Sequence, residues 1–269
     1  MSSKRLSDVI ICCPSFRGVT PPSLEALHAE GASIHRMPNR SDIAHVRCLL
    51  AESALREAER DDNKRWILWC DDDQEFPLET VVRHRVIARH CSVELGTLVA
   101  LAGRYVRRAQ PEYYAAVRVG ASARICRVSP NERPTGMRAN FDDDWSLPEV
   151  YSGMGAFMCP LAALRKVAEM VPRVEPVGGR DPGFAAVTHT GAILNEQQRW
   201  CWGPEDFVHC ALLGMAGTQV LLAPGEIAYG HWVKTRDCYV YPDDTTLLPD
   251  SDPWVPARLP EEEYEPLAK

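Results

Sequence analysis

The chain has 269 residues, of which 45% are hydrophobic and 25% charged, and it carries a net charge of −7. At roughly 100–200 residues per domain such a length supports a large core, so a small stapled scaffold is excluded. No run approaches the roughly 18 consecutive apolar residues of a membrane span, and no cleavage-site pattern follows Met1-Ser2-Ser3-Lys4-Arg5. No membrane partner and a cytoplasmic location are therefore expected, with the ten cysteines, none in a C-x-x-C pair, kept as reduced thiols.

The first half alternates strand-like and helix-like segments. Asp8–Cys13, ended by Pro14, has the apolar continuity of a strand buried on both faces. Pro21–Glu30 predicts a helix closed by Gly31, and Ser33–Met37 a short strand. Ser41 is the expected N-cap of a helix with Ile43, Val46 and Leu50 on one face, ending near Asn63. Arg65–Cys70 is a second buried strand, Pro77 opens a helix running to about Cys91, and Thr97–Tyr105 is a third strand. This order predicts an α/β fold with a mostly parallel central sheet and helices on both faces. In such sheets ligands bind beyond the carboxyl ends of the strands.

The second half is more mixed. Tyr113–Val119 and Ala123–Val128 suggest a hairpin, Pro160–Glu169 a helix, and the Gly- and Pro-rich stretch Pro172–Gly191 a loop. A helix is expected from Pro204 to Gly214 or Gly217, then strands at Thr218–Leu222 and Ile227–Val233. Without a linker or repeat, residues 1–234 read as one domain with halves of about 1–110 and 111–234, and residues 235–269 as an acidic, Pro-rich tail.

Charge is unevenly spread. From Arg83 to Arg138, eleven arginines face three glutamates, a local balance of +8; from Thr235 to Lys269, three cations face nine acids. An overall acidic chain can thus still present a basic segment to phosphates.

Three carboxylates follow the second buried strand: Asp71, Asp72 and Asp73. Carboxylates crowded at a strand end repel one another, and a divalent cation such as Mg²⁺ or Mn²⁺ relieves that repulsion while leaving positions for substrate phosphates. A solvated acidic turn is the competing reading of the same residues; the metal is preferred because Phe76-Pro77 reseals the chain at once and a strand's carboxyl end is a ligand position. No G-x-x-x-x-G-K-[ST], G-x-S-x-G or H-E-x-x-H motif is present, and Met158 breaks a G-x-G-x-x-G run at Gly153 and Gly155.

The segment Arg65-Trp66-Ile67-Leu68-Trp69-Cys70-Asp71-Asp72-Asp73-Gln74-Glu75-Phe76-Pro77 resembles the strand and D-x-D motif of GT-A fold glycosyltransferases. Pro14-Ser15-Phe16-Arg17 after the first strand, Arg47 on the helix ahead of the motif, Tyr151-Ser152-Gly153-Met154-Gly155-Ala156-Phe157, Gly203-Pro204-Glu205-Asp206 and Tyr229-Gly230-His231-Trp232 are similar to further landmarks of that fold, in the same order. The resemblance implies a GT-A, Rossmann-like, single domain that moves a sugar from a nucleotide-diphosphate sugar, UDP-linked by family habit, to an acceptor hydroxyl. It also implies roles. Asp73, Asp71 and His231 would hold Mn²⁺ or Mg²⁺. Pro14, Ser15, Arg17, Arg47, Asp71, Asp72, Arg104, Gly153 and Gly155 would line the donor. Asp206, with Glu205 as its alternate, would be the general base of an inverting transfer.

Gly203-Pro204-Glu205-Asp206 is equally an ordinary helix start, whose dipole lowers a carboxylate's pKa unless burial raises it again. Small phage-encoded glycosyltransferases, to which the resemblance is nearest, include enzymes acting on hydroxymethylated DNA bases. That likeness implies DNA as an acceptor and a host-cell cytoplasmic setting, with the +8 segment and Tyr105, Tyr113 and Tyr114 as its track. A sugar-phosphate nucleotidyltransferase and a non-catalytic nucleotide-sugar or nucleic-acid binding module are the rival readings.

Overall fold

The computed structural model describes residues 4–15, 23–38, 42–109, 111, 115–118, 150–174, 183–188, 191–194, 200–203 and 205–246. In chain order the elements are β1 (Val9–Ser15), α1 (Ser23–Ala29), β2 (Ser33–Pro38), α2 (Ile43–Arg60), β3 (Trp66–Cys70), β4 (Gln74–Glu75), α3 (Leu78–Glu94) and β5 (Leu98–Ala102). There follow β6 (Ala116–Arg118), β7 (Val150–Ser152), β8 (Ala156–Pro160), α4 (Leu161–Met170), β9 (Arg173–Val174), β10 (Phe184–Ala185), β11 (Gly191–Leu194) and β12 (Trp200–Gly203). The last are α5 (Glu205–Met215), β13 (Thr218–Leu222), β14 (Gly230–Val233) and β15 (Cys238–Val240).

Six strands form the central sheet in the order β13-β5-β8-β3-β1-β2. β1 runs parallel to β2 and β3, and β13 parallel to β5, while β8 is antiparallel to both β3 and β5. The protein is therefore α/β with a mixed sheet of mostly parallel strands. Side chains of a strand alternate between faces, and the core divides accordingly. Ile10, Cys12, Ile67 and Trp69 pack with α2, α4 and α5, whereas Val9, Ile11, Cys13 and Leu68 pack with α1 and α3. Both faces of β1 and β3 are covered, which explains their unbroken apolar sequences.

Several boundaries differ from expectation for local reasons. Asp42, not Ser41, caps α2, its carboxylate accepting from the His45 N–H, and the helix stops at Arg60; Ser41 lies outside the described residues. Pro77 occupies the cap position of α3 rather than its first turn, and α3 continues to Glu94. β6 pairs with β7, 32 residues beyond it, while Ala123–Val128 lies outside the described residues. The stretch expected as a loop contains the antiparallel pair β9–β10, anchored by buried Phe184 and Val187. The stretch assigned to the tail begins with β15, which pairs with β14 and sets Tyr239 edge-to-face on Trp232.

Cys12, Cys13, Cys48, Cys70, Cys159 and Cys210 are buried free thiols, and Cys91 and Cys238 are free thiols nearer the surface. Among the described residues no helix is long and apolar enough to cross a membrane.

Candidate active site

The carboxyl end of β3 delivers Asp71, Asp72 and Asp73 into a tight turn, and each carboxylate finds a different partner. Asp71 Oδ1 accepts from Arg47 Nη2 at 3.0 Å. Asp72 Oδ2 accepts from the Ser15 hydroxyl at 3.2 Å, which in turn accepts from Arg36 Nη2 at 3.0 Å, linking the ends of β1, β2 and β3. Asp73 is buried, with Oδ2 paired to Arg108 and Oδ1 3.4 Å from His231 Nε2.

His231 arrives from far along the chain. β4, immediately after the aspartates, pairs antiparallel with β14, placing His231 opposite Gln74, and the Trp232 N–H donates to the Asp73 carbonyl at 2.9 Å. The His231 Nδ1–H donates to the Val106 carbonyl at 2.6 Å, so in the neutral ring Nε2 keeps its lone pair and directs it toward Asp73. Two ligands at right angles on a cation about 2.1 Å away lie roughly 3 Å apart. The Asp73–His231 separation fits such a pair, and one carboxylate oxygen with one imidazole suits Mn²⁺ or Mg²⁺. Arg108, whose side chain is more than half exposed, would have to release Asp73. Among the described residues no group of three or more ligating side chains is gathered close enough to hold a metal ion, so water and substrate oxygens would complete the shell.

α5 brings Glu205 and Asp206 to the same end of the sheet. Arg47, nearly fully buried on α2, donates Nη1 to Glu205 Oε1 at 2.7 Å while its other arm holds Asp71, tying the base of α5 to the end of β3. Burial opposes its charge, but the carboxylates of Asp71, Glu205 and Asp206 outweigh burial and raise its pKa, so Arg47 stays cationic. Burial raises the Asp71 carboxyl above the usual carboxylate range, with Arg47 only partly offsetting it. Burial, reinforced by the Glu205 carboxylate, lifts the Asp206 carboxyl to about 7. The contest posed by a carboxylate at a helix start is thus won by burial over the helix N-terminus.

Gly153 and Gly155 let the chain pass close to these groups. A Cβ at Gly153 would meet the Tyr105 hydroxyl at 2.2 Å and Asp206 Oδ2 at 3.3 Å; one at Gly155 would meet Gln74 Nε2 at 2.2 Å and Asp71 Oδ2 at 2.9 Å. The antiparallel β8 causes this approach, since its register sets Ala156 opposite Cys70, and the Asp71 N–H donates to the Gly155 carbonyl at 3.1 Å. Two members of the site hold places not read from the sequence: Tyr105 is expected on a nucleic-acid track, and Gln74 is given no role. Tyr105 is buried with its ring edge-to-face on His231, and its hydroxyl accepts from the Gly155 N–H at 3.1 Å. Gln74 is fully buried, with neither carboxamide atom hydrogen-bonded among the described residues. Only the position of Gln74 directly after the aspartates hinted at a role.

The remaining candidates separate. Pro14 is buried in β1 beside Met37 of β2, and Arg17 lies outside the described residues. Arg104 follows β5 but its Nε donates to the Ala223 carbonyl at 2.6 Å, fastening the segment before β14. Of the arginine-rich segment, Arg85 pairs with Asp8 and Arg83 with Glu226, while Arg124, Arg127, Arg133, Arg138, Tyr113 and Tyr114 lie outside the described residues. Tyr105, being buried, offers no stacking surface to a nucleic acid.

No protein family matches the sequence, and no relative is found among curated proteins. Among solved structures, A197 from STIV is similar over 73% of this chain and 94% of its own, at 13% identity and a TM-score of 0.38. A likeness that distant carries no argument about fold or activity.

Proposed function

We propose that this protein is a GT-A-like, metal-dependent glycosyltransferase that moves a sugar from a nucleotide-diphosphate sugar to an acceptor hydroxyl with inversion. The observation that carries the proposal is the convergence, at one end of the sheet, of Asp73 with His231 and of Asp71, through Arg47, with the Glu205–Asp206 pair. One pair suits a cation and the other supplies a carboxyl whose pKa of about 7 matches a general base at neutral pH.

Asp73 and His231 would hold the divalent cation, with Asp71 beside them. When bound, that cation neutralises charge on the departing diphosphate. Asp206 accepts the acceptor's hydroxyl proton as the hydroxyl oxygen bonds to the anomeric carbon; the bond from that carbon to the diphosphate oxygen breaks, and its electron pair leaves with the nucleoside diphosphate. Arg47 holds Glu205 and Asp71 in register, and the Tyr105–Gly155 hydrogen bond holds the start of β8 beside them.

Incubation with UDP-sugars and Mn²⁺ tests the reading. Release of UDP that disappears in Asp73→Ala and in His231→Ala supports it. Release of pyrophosphate from a nucleoside triphosphate and a sugar phosphate would point to the nucleotidyltransferase, and binding without turnover to a non-catalytic module.

A further inference from the structure

The β14–β15 hairpin that carries His231 has a second, outward face. Side chains alternate along β14, so His231 and Val233 face the interior while Gly230 and Trp232 face away. Tyr239 stands opposite Trp232 with ring centroids 5.2 Å apart at 77°. Tyr241 lies across Gly230, where a Cβ would meet Tyr241 Cε2 at 2.9 Å, and its hydroxyl donates to Glu75 Oε2 at 2.7 Å. A side chain at position 230 would push the ring off the strand, and the bond to Glu75 fixes its tilt. Three aromatic rings therefore share one face, with Tyr239 38% and Tyr241 41% exposed, and Glu75 sits at their border.

Such a face takes a flat apolar surface, and charge selects which kind. The charged group bonded to the rings is a carboxylate, and between Lys234 and Thr246 two cations, Lys234 and Arg236, face Asp237, Asp243 and Asp244. A nucleic acid requires its phosphates to be neutralised, and this surface is no better than neutral. A carboxylate only accepts hydrogen bonds, so it matches a hydroxyl. A neutral saccharide supplies both features, C–H groups on the ring face and hydroxyls around the rim.

We propose that Trp232, Tyr239 and Tyr241, bordered by Glu75, anchor a neutral saccharide belonging to the acceptor; its place in catalysis rests on the glycosyltransferase reading. Trp232 and His231 lie on opposite faces of one strand, so the platform holds a sugar unit beside the reacting centre and not in it.

The test titrates the full chain with cellopentaose, maltopentaose and N-acetylchitopentaose, followed by tryptophan fluorescence, with a single-stranded oligothymidylate for comparison. At least one saccharide is expected to bind more tightly than the oligonucleotide, and Tyr239→Ala and Tyr241→Ala each to weaken it tenfold or more. Acceptor-independent release of UDP should stay unchanged, and with that saccharide as acceptor KM should rise while kcat holds. Failure of all three saccharides to bind, binding indifferent to both substitutions, or preference for the oligonucleotide would overturn the proposal. Saccharide binding lost in the variants by a protein that turns over no nucleotide sugar would sustain the platform and remove the transferase. Turnover without a saccharide effect would do the reverse.

Discussion

Asp206 faces the helix N-terminus and Arg47, which favour its charge, and an enclosed setting beside Glu205, which disfavours it; its pKa of about 7 records the balance. A base must be unprotonated to act, so kcat/KM should rise with pH through a limb near 7. Asp206→Asn should lower the rate by about 10²–10⁴-fold and erase that limb, which a pH–rate profile with donor and acceptor would reveal. Gly155→Ala presents a different kind of conflict. Its Cβ would come within 2.2 Å of Gln74 Nε2, inside van der Waals contact, so Gln74 or the strand start must shift. We expect at least a tenfold loss of turnover, since a displacement of about 1 Å can cost 10²-fold in an oriented site. An unchanged kcat in Gly155→Ala would show that the close approach has no bearing on chemistry.

At the scale of elements, α3 is fastened to the sheet by a buried polar bridge. His84 Nε2–H donates to the Leu101 carbonyl at 2.8 Å, and Nδ1 accepts from the Tyr229 hydroxyl at 2.8 Å. Tyr229→Phe would leave that nitrogen without a donor and cost about 1–3 kcal/mol, to be read from urea unfolding. The strands bracketing this bridge were plain in the sequence, because β1, β3 and β5 are buried on both faces and need unbroken apolar runs. β8 was not. Ala156–Pro160 is just as apolar, but its place between β3 and β5 is decided by pairing partners distant in sequence, to which local periodicity is blind. The same limit applies to the site. Asp71, Asp73 and His231 stand out by residue type, whereas Tyr105 gains its role only because β8 folds back beside it, and Gln74 only because β14 covers it.

For the whole molecule, pH pulls stability in two directions. Burial lowers the pKa of His84 and of His209 to about 4 from the ordinary 6.5, so the unfolded chain binds protons that the folded chain refuses. Stability is full above 6.5 and drains as pH falls toward 4, by about 2 kcal/mol per histidine between pH 7 and pH 5. Asp206 acts oppositely. Its folded pKa lies above the unfolded value, so its contribution is greatest at low pH and fades as pH rises through 7. Denaturation midpoints of Asp206→Asn should therefore fall more steeply between pH 7 and pH 5 than those of the wild type. Mn²⁺, if held by Asp73 and His231, raises the thermal midpoint with the logarithm of its concentration relative to Kd, an effect that should vanish in Asp73→Ala.

Asp73 and His231 are more than 150 residues apart, joined by the two-residue ladder between β4 and β14. During synthesis at roughly 5–20 residues per second, about 10–30 s separates the appearance of one from the other. The aspartates therefore wait, without their imidazole partner, on a nascent chain that already contains β1 to β3. A chain cut short anywhere between β4 and β14 keeps the whole acidic motif and lacks the histidine, so it should fail to compete with the finished protein for metal or for nucleotide sugar.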